Sequence, residues 1–167
     1  MARLFLLRHA KAGWAPPGTH DFDRPLEPGG AADAEEMGQA MRAGGYVPDM
    51  TLCSTALRAR QTLEGVAMHA DTGRVVYLPA LYSEDAAGYL SIIRENGGDG
   101  SLLVIGHNPM MEDLATAFSE EGDEEARAIL HYGFPTSGLA IIGFGGSLKT
   151  AAPGEGHLEA FLTPARP

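Results

Sequence analysis

Cysteine, lysine and long apolar runs are all scarce in this 167-residue chain. Its single cysteine, Cys53, permits no intramolecular disulfide and no cysteine-based metal cage. Uninterrupted apolar runs are short, as at Leu4–Leu7 and Leu102–Ile105, against the roughly 18 residues that a membrane-spanning helix needs. Leu4–Leu7 is also too short for the apolar stretch of a signal peptide, and no small-residue cleavage site follows it. A soluble, cytoplasmic protein with no membrane partner is expected. Positive charge is scarce too, with 12 basic against 22 acidic residues and a net charge of −10. Such a surface repels polyanions, so no nucleic-acid partner is expected.

Further absences remove whole reaction classes. Neither Lys11 nor Lys149 follows a glycine, so there is no Gly-Lys-Ser/Thr phosphate loop. No Gly-x-Ser-x-Gly turn is present for a serine hydrolase. No histidine is followed by glutamate, which excludes a His-Glu-x-x-His zinc site. Cys53 precedes Arg58 by five residues and Arg60 by seven, missing the spacing of six that a cysteine phosphatase needs; it reads as a small core residue. Asp21-Phe22-Asp23 follows no apolar strand, so it is a poor match to a magnesium-dependent aspartyl phosphatase.

What remains is globular: 44% hydrophobic and 20% charged residues, in a length that suits one domain over residues 1–167. Leu4–Leu7 reads as a buried strand that ends at the polar pair Arg8-His9. A helix starts at Pro28, repeats Ala34, Met37 and Met41 on one face, and stops at Gly44-Gly45. Met50–Cys53 and Val75–Leu78 read as strands. Ser54 or Thr55 is expected to cap a helix running to about His69, and Ser83 one running through Leu90 and Ile93 to Asn96-Gly97. Ser101–Ile105 is a strand, after which Asn108 and Pro109 are expected as N-cap and first residue of a helix. Glu120–Glu125 reads as a solvated surface turn, and Leu139–Phe144 with Leu158–Leu162 as an antiparallel pair. Alternating strands and helices predict an α/β fold, a three-layer αβα sandwich with a mostly parallel sheet and an antiparallel C-terminal edge.

In such a sheet the ligand site lies beyond the carboxyl ends of the strands. Three strands deliver polar residues there: Arg8-His9, then Ser54 with Arg58 just inside the next helix, then His107. A phosphoryl group carries three equatorial oxygens whose charge must be held while attacking and leaving atoms stay in line. Arg8 and Arg58 can supply forked donors and His107 a further one. Neutral His9 is a competent nucleophile near pH 7, and a nearby carbonyl could hold one ring nitrogen as donor and aim the other at phosphorus. No clustered carboxylates suggest a metal, so none is expected, nor any cofactor.

Arg8-His9-Ala10, Arg58 within Ser54–Thr62, and Gly106-His107-Asn108-Pro109, in that order, resemble the histidine phosphatase superfamily (phosphoglycerate-mutase-like). The short length and Asp21-Phe22-Asp23-Arg24-Pro25-Leu26 look like its small SixA-type phosphohistidine phosphatase branch. The resemblance implies a phosphatase in which His9 takes the phosphoryl group covalently and water then releases it. It implies that Arg8, Arg24, Arg58, His107 and Asn108 bind the substrate, a phosphorylated protein (phosphohistidine) or a small phosphoester. Glu84, just after the third strand, stands where the family often places its general acid, with Asp85, Asp21 and Glu27 as rivals. A non-catalytic phosphate-binding adaptor is the other reading that these residues allow. Each site residue also has a plainer role to weigh. Arg58 could pair with Glu64 or Asp49, Arg24 with Asp21 or Asp23, and Glu84 could serve the helix dipole. His20, His69, His131 and His157 read as surface or loop residues, and Trp14 as packing over Pro16 and Pro17.

Overall fold

The computed structural model describes residues 1–165, and in it both faces of the first apolar run are buried. In β1 (Ala2–Arg8), Leu4 and Leu6 join one core cluster while Phe5 and Leu7 join the other. Successive side chains in a strand point to opposite faces, so a continuous apolar run fits a strand covered on both sides. The same division runs through β2 (Met50–Ser54), where Leu52 and Cys53 point opposite ways, and β4 (Ser101–Gly106), where Leu102 and Val104 oppose Leu103 and Ile105.

Among the described residues the sheet has seven strands in the order β3-β2-β4-β1-β6-β7-β5, with β3 at Arg74–Leu78, β5 at Glu121–Gly122, β6 at Leu139–Phe144 and β7 at Gly156–Leu162. Strands β1 to β4 are mutually parallel. The antiparallel pairing lies on the C-terminal flank: β6 runs against both of its neighbours, β1 and β7. One face is covered by α1 (Pro28–Gly44) and α2 (Leu57–Ala67), through Met37, Met41, Ala59, Leu63 and Val66. The other is covered by α4 (Ala86–Asn96), α5 (Met110–Phe118) and α6 (Glu124–His131), with the short α3 (Ala80–Ser83) contributing Leu81. This is the expected three-layer α/β architecture.

Local details correct the sequence reading at several helix starts. The residue before α2 is Ala56, with no side-chain cap, because the Ser54 and Thr55 region is still leaving the strand. The helix expected to be capped by Ser83 starts at Ala86, and Asp85 caps it by accepting from the Gly88 amide at 2.9 Å, while Ser83 ends the short α3 before it. Helix α5 starts at Met110 with Pro109 just outside it; Asn108 still caps, its Oδ1 accepting from the Glu112 amide at 3.2 Å. The acidic run at Glu120–Glu125 is no plain turn: Asp123 caps α6 through the Ala126 amide, and Ala126 and Leu130 are buried. Trp14 does not pack on prolines; it is 95% exposed. No helix among the described residues is long and apolar enough to cross a membrane.

Helices α1 and α2 cross with almost no space between their backbones. A Cβ on Gly38 would lie 2.5 Å from the Val66 carbonyl oxygen, and one on Gly65 would lie 2.7 Å from the Ala34 Cβ. Because the obstacle at Gly38 is backbone, the helices themselves would have to separate. Gly38→Val is expected to lower stability by about 1–3 kcal/mol through overpacking, read as a lower urea midpoint; an unchanged midpoint would contradict this packing.

Candidate active site

The adjacent ends of β1, β4 and β2 carry the polar residues that converge. Beyond β1 the chain is held at each residue. The His9 amide donates to the Gly106 carbonyl at 3.0 Å, and the Ala10 amide to the Thr62 hydroxyl at 2.9 Å. The Ser137 amide lies 3.1 and 3.2 Å from the Arg8 and His9 carbonyl oxygens. Thr62 in turn donates to the Arg58 carbonyl at 2.7 Å, so one buried hydroxyl on α2 joins the His9 loop to the turn that carries Arg58.

Arg8, His9, Arg24, Arg58, His107 and Asn108 line one cleft of about 290 Å³, together with Lys11, Ala12 and Thr136. His9 and His107 face each other with ring centroids 5.2 Å apart. His9 Nδ1 lies 2.7 Å from its neighbour's carbonyl oxygen, that of Ala10. A carbonyl can only accept, so Nδ1 carries the proton and Nε2 keeps its lone pair. His107 Nε2 lies 2.7 Å from Ser54 Oγ.

The arginines are each anchored at one end. Arg8 donates from one terminal nitrogen to the Phe134 carbonyl at 2.8 Å. Arg58, almost fully buried, donates to the Asp21 carbonyl at 2.8 Å and to its carboxylate at 3.1 Å. The Asp21 carboxylate also accepts from Arg24 Nε at 2.9 Å and from the Tyr82 hydroxyl at 2.8 Å. The Tyr82 ring lies edge-on to His107, centroids 5.6 Å apart, and 5.9 Å from the Arg58 guanidinium carbon. Even so, Nε of Arg8, Nε of Arg58 and Nδ1 of His107 are buried without a partner. A buried polar group left unmade costs about 1–3 kcal/mol, and here the three belong to cleft residues that would all serve an anion.

Two expected site residues stand differently. Glu84 is exposed and lies outside the cleft lining; a Cβ on Gly88 would fall 2.7 Å from its Oε2, so its carboxylate rests over the first turn of α4. Tyr82, two residues earlier, turns to the Asp21 carboxylate and the His107 ring instead. Asn108 does line the cleft; one of its two N–H groups donates to the Phe134 carbonyl at 3.1 Å and its oxygen accepts from the Glu112 amide. Among the described residues no carboxyl group lines the cleft, and no three metal-ligating side chains cluster. The sequence reading missed Tyr82 altogether. Asp21 was weighed as a rival acid, whereas it serves as the shared anchor of two arginines; an acidic residue between two arginine-bearing motifs was the available signal.

The electrostatics follow from this burial. Burial pushes His9 down to about 3 and His107 to about 4, with the Arg58 and Arg8 charges reinforcing the shift in both. For Asp21, partial burial works to raise its pKa, but the Tyr82 hydrogen bond and the Arg58 and Arg24 charges outweigh it and leave it lowered.

Residues 4–85 match the family model described as histidine phosphatase superfamily (branch 1). A protein from Agrobacterium tumefaciens carrying the provisional name of phosphohistidine phosphatase SixA is 38% identical, with 97% of each chain covered and a TM-score of 0.82. A second protein so named, from Nakamurella multipartitia, is 28% identical over 98% of this chain and 96% of its own, with a TM-score of 0.83. An uncharacterized protein of Mycobacterium tuberculosis is 37% identical over 95% of this chain and 99% of its own length.

Two histidines held neutral in the fold predict a pH dependence of stability. Both titrate lower in the native chain than the ordinary value of 6.5. The unfolded chain therefore binds more protons between about pH 6.5 and pH 3–4, and stability falls as pH drops through that window. Between pH 6.5 and 5 each histidine is expected to cost about 2 kcal/mol. Urea unfolding of the His107→Asn variant is expected to show a shallower loss over that range; an identical slope would contradict the assignment.

Proposed function

The chain belongs to the histidine phosphatase superfamily, SixA-type branch, and is a phosphatase; from that premise we propose that it hydrolyses phosphohistidine on a protein, through a covalent phosphohistidine on His9. The observation that carries the substrate choice is the absence of any carboxyl group from the described cleft lining. An alkoxide leaving group needs a positioned acid. The imidazole of a phosphohistidine is itself basic near neutrality, with a pKa of about 6.5 once free, so it leaves readily after taking a proton from solvent. Glu84 as general acid is not part of this reading, because its carboxylate lies outside the cleft.

In the first step His9 Nε2 attacks phosphorus in line, and the P–N bond to the substrate imidazole breaks. In the second, water attacks phosphorus, the P–N bond to His9 breaks, and phosphate leaves with the His9 lone pair restored. The Ala10 carbonyl, 2.7 Å from Nδ1, keeps the ring in the nucleophilic tautomer. Arg8 and Arg58 receive the equatorial oxygens, with Arg24 at the rim and His107 supplying a donor from Nδ1 when Ser54 donates to its Nε2. Held guanidiniums supply the positive charge that a metal ion supplies elsewhere, so we propose a metal-independent reaction. The acidic surface disfavours nucleic acid and anionic membranes, and the cytoplasm is the compartment we assign.

His9→Ala is expected to lower turnover by roughly a thousandfold or more while phosphate still binds; full activity in that variant would remove the nucleophile. Arg58→Ala is expected to lose about 10²–10³ in kcat. Phosphohistidine protein should be hydrolysed much faster than phosphoserine protein or a sugar phosphate, with chelator present or not. A preference for the phosphoesters, or loss of activity with chelator, would overturn the reading.

A further inference from the structure

A second depression of about 490 Å³ opens beside the cleft and shares two of its wall residues, Arg8 and Asn108. Its remaining walls are Glu112, Ile129, Tyr132 and the Gly133–Pro135 segment. The floor is preformed. The Phe134 carbonyl accepts from both Arg8 and Asn108, and its amide donates to the Glu112 carboxylate at 3.0 Å. The Phe134 ring points the other way, into the core against Phe161. Three side chains thus fix the backbone of a short loop, and at its start Tyr132 is 93% exposed. Apart from Arg8, no residue of this groove takes part in the proposed reaction.

Resting on the phosphohistidine reading above, we infer that the groove seats an apolar side chain of the substrate protein, one flanking the phosphorylated histidine. The occupant follows from continuity. Arg8 belongs to both cavities, so a group in the groove is within a residue or two of a phosphoryl group held by Arg8. Its character follows from the walls: Ile129, Tyr132 and Pro135 offer apolar surface, while Glu112 and the chain's net charge of −10 disfavour an acidic neighbour. A small phosphorylated metabolite would occupy the cleft alone.

The test uses two peptides of equal length built around a non-hydrolysable phosphohistidine analogue, one flanked by leucines and one by aspartates, titrated against the full chain. The leucine peptide is expected to bind about tenfold tighter or more, the order of effect that one seated apolar side chain supplies. Tyr132→Ser, at a site too exposed to endanger folding, is expected to remove most of that difference, and Ile129→Asn the same from the opposite wall. Equal affinities for the two peptides, or a preference that both variants leave intact, would overturn the inference. So would a concentration-dependent dimer that Tyr132→Ser disperses and the leucine peptide fails to compete with, since a second copy of the chain would then fill the groove. Failure of the phosphohistidine reading is separate: the unsubstituted protein would not hydrolyse phosphoramidate, whatever the peptide affinities.

Discussion

Two guanidiniums, those of Arg8 and Arg58, are held at the rim of the sheet by acceptors behind them, and the site depends on that arrangement. The Phe134 carbonyl holds Arg8, and the Asp21 carbonyl and carboxylate hold Arg58. Each anchor engages terminal nitrogens and leaves Nε buried and unpartnered. Partially satisfied buried cations are costly in an empty protein. In the reaction we propose, an anion with several oxygens offsets that cost, and a fixed donor array of this kind would need no reorganisation during phosphoryl transfer, so it would accelerate the reaction and not only binding.

The same charges shape the two histidines between them. Burial and the arginines together keep both rings neutral, His9 far below its ordinary value. For His9 that is the nucleophilic form, and the Ala10 carbonyl selects which nitrogen presents its lone pair. For His107 it means that the ring is a donor through one nitrogen, oriented by Ser54 at the end of the neighbouring strand. The fold supplies this by topology. β1 and β4 are neighbours, β2 is next to β4, and all three end on the same side, so residues far apart in sequence meet within one cleft.

Much of this was legible in the chain. An apolar run that stops at Arg8-His9, another that stops at Gly106-His107, and a short one that stops at Ser54 place three polar tips at one sheet edge, and the alternation of elements gives the α/β class. What was not legible depends on long-range geometry. Nothing near Arg58 in sequence announces Asp21 as its partner, 37 positions away. Nor does anything announce that Tyr82 completes the Asp21 cluster from 61 positions away. Nor does the sequence show that a short helix, Ala80–Ser83, ends at Glu84 before Asp85 caps the next, which leaves Tyr82 and not Glu84 in contact with the site. The acidic run concealed α6 because its charges are solvent-facing while Ala126 and Leu130 alone mark the buried side.

The account stands on a transient bond between phosphorus and His9. The most direct measurement is rapid-quench trapping of the enzyme during turnover of phosphoramidate, with the phosphorylated peptide identified by mass spectrometry under alkaline conditions. The account predicts an acid-labile, alkali-stable phosphoryl group on His9 that forms and decays at rates compatible with turnover. Phosphate found on another residue, or product formed with no covalent species at any time, would contradict it.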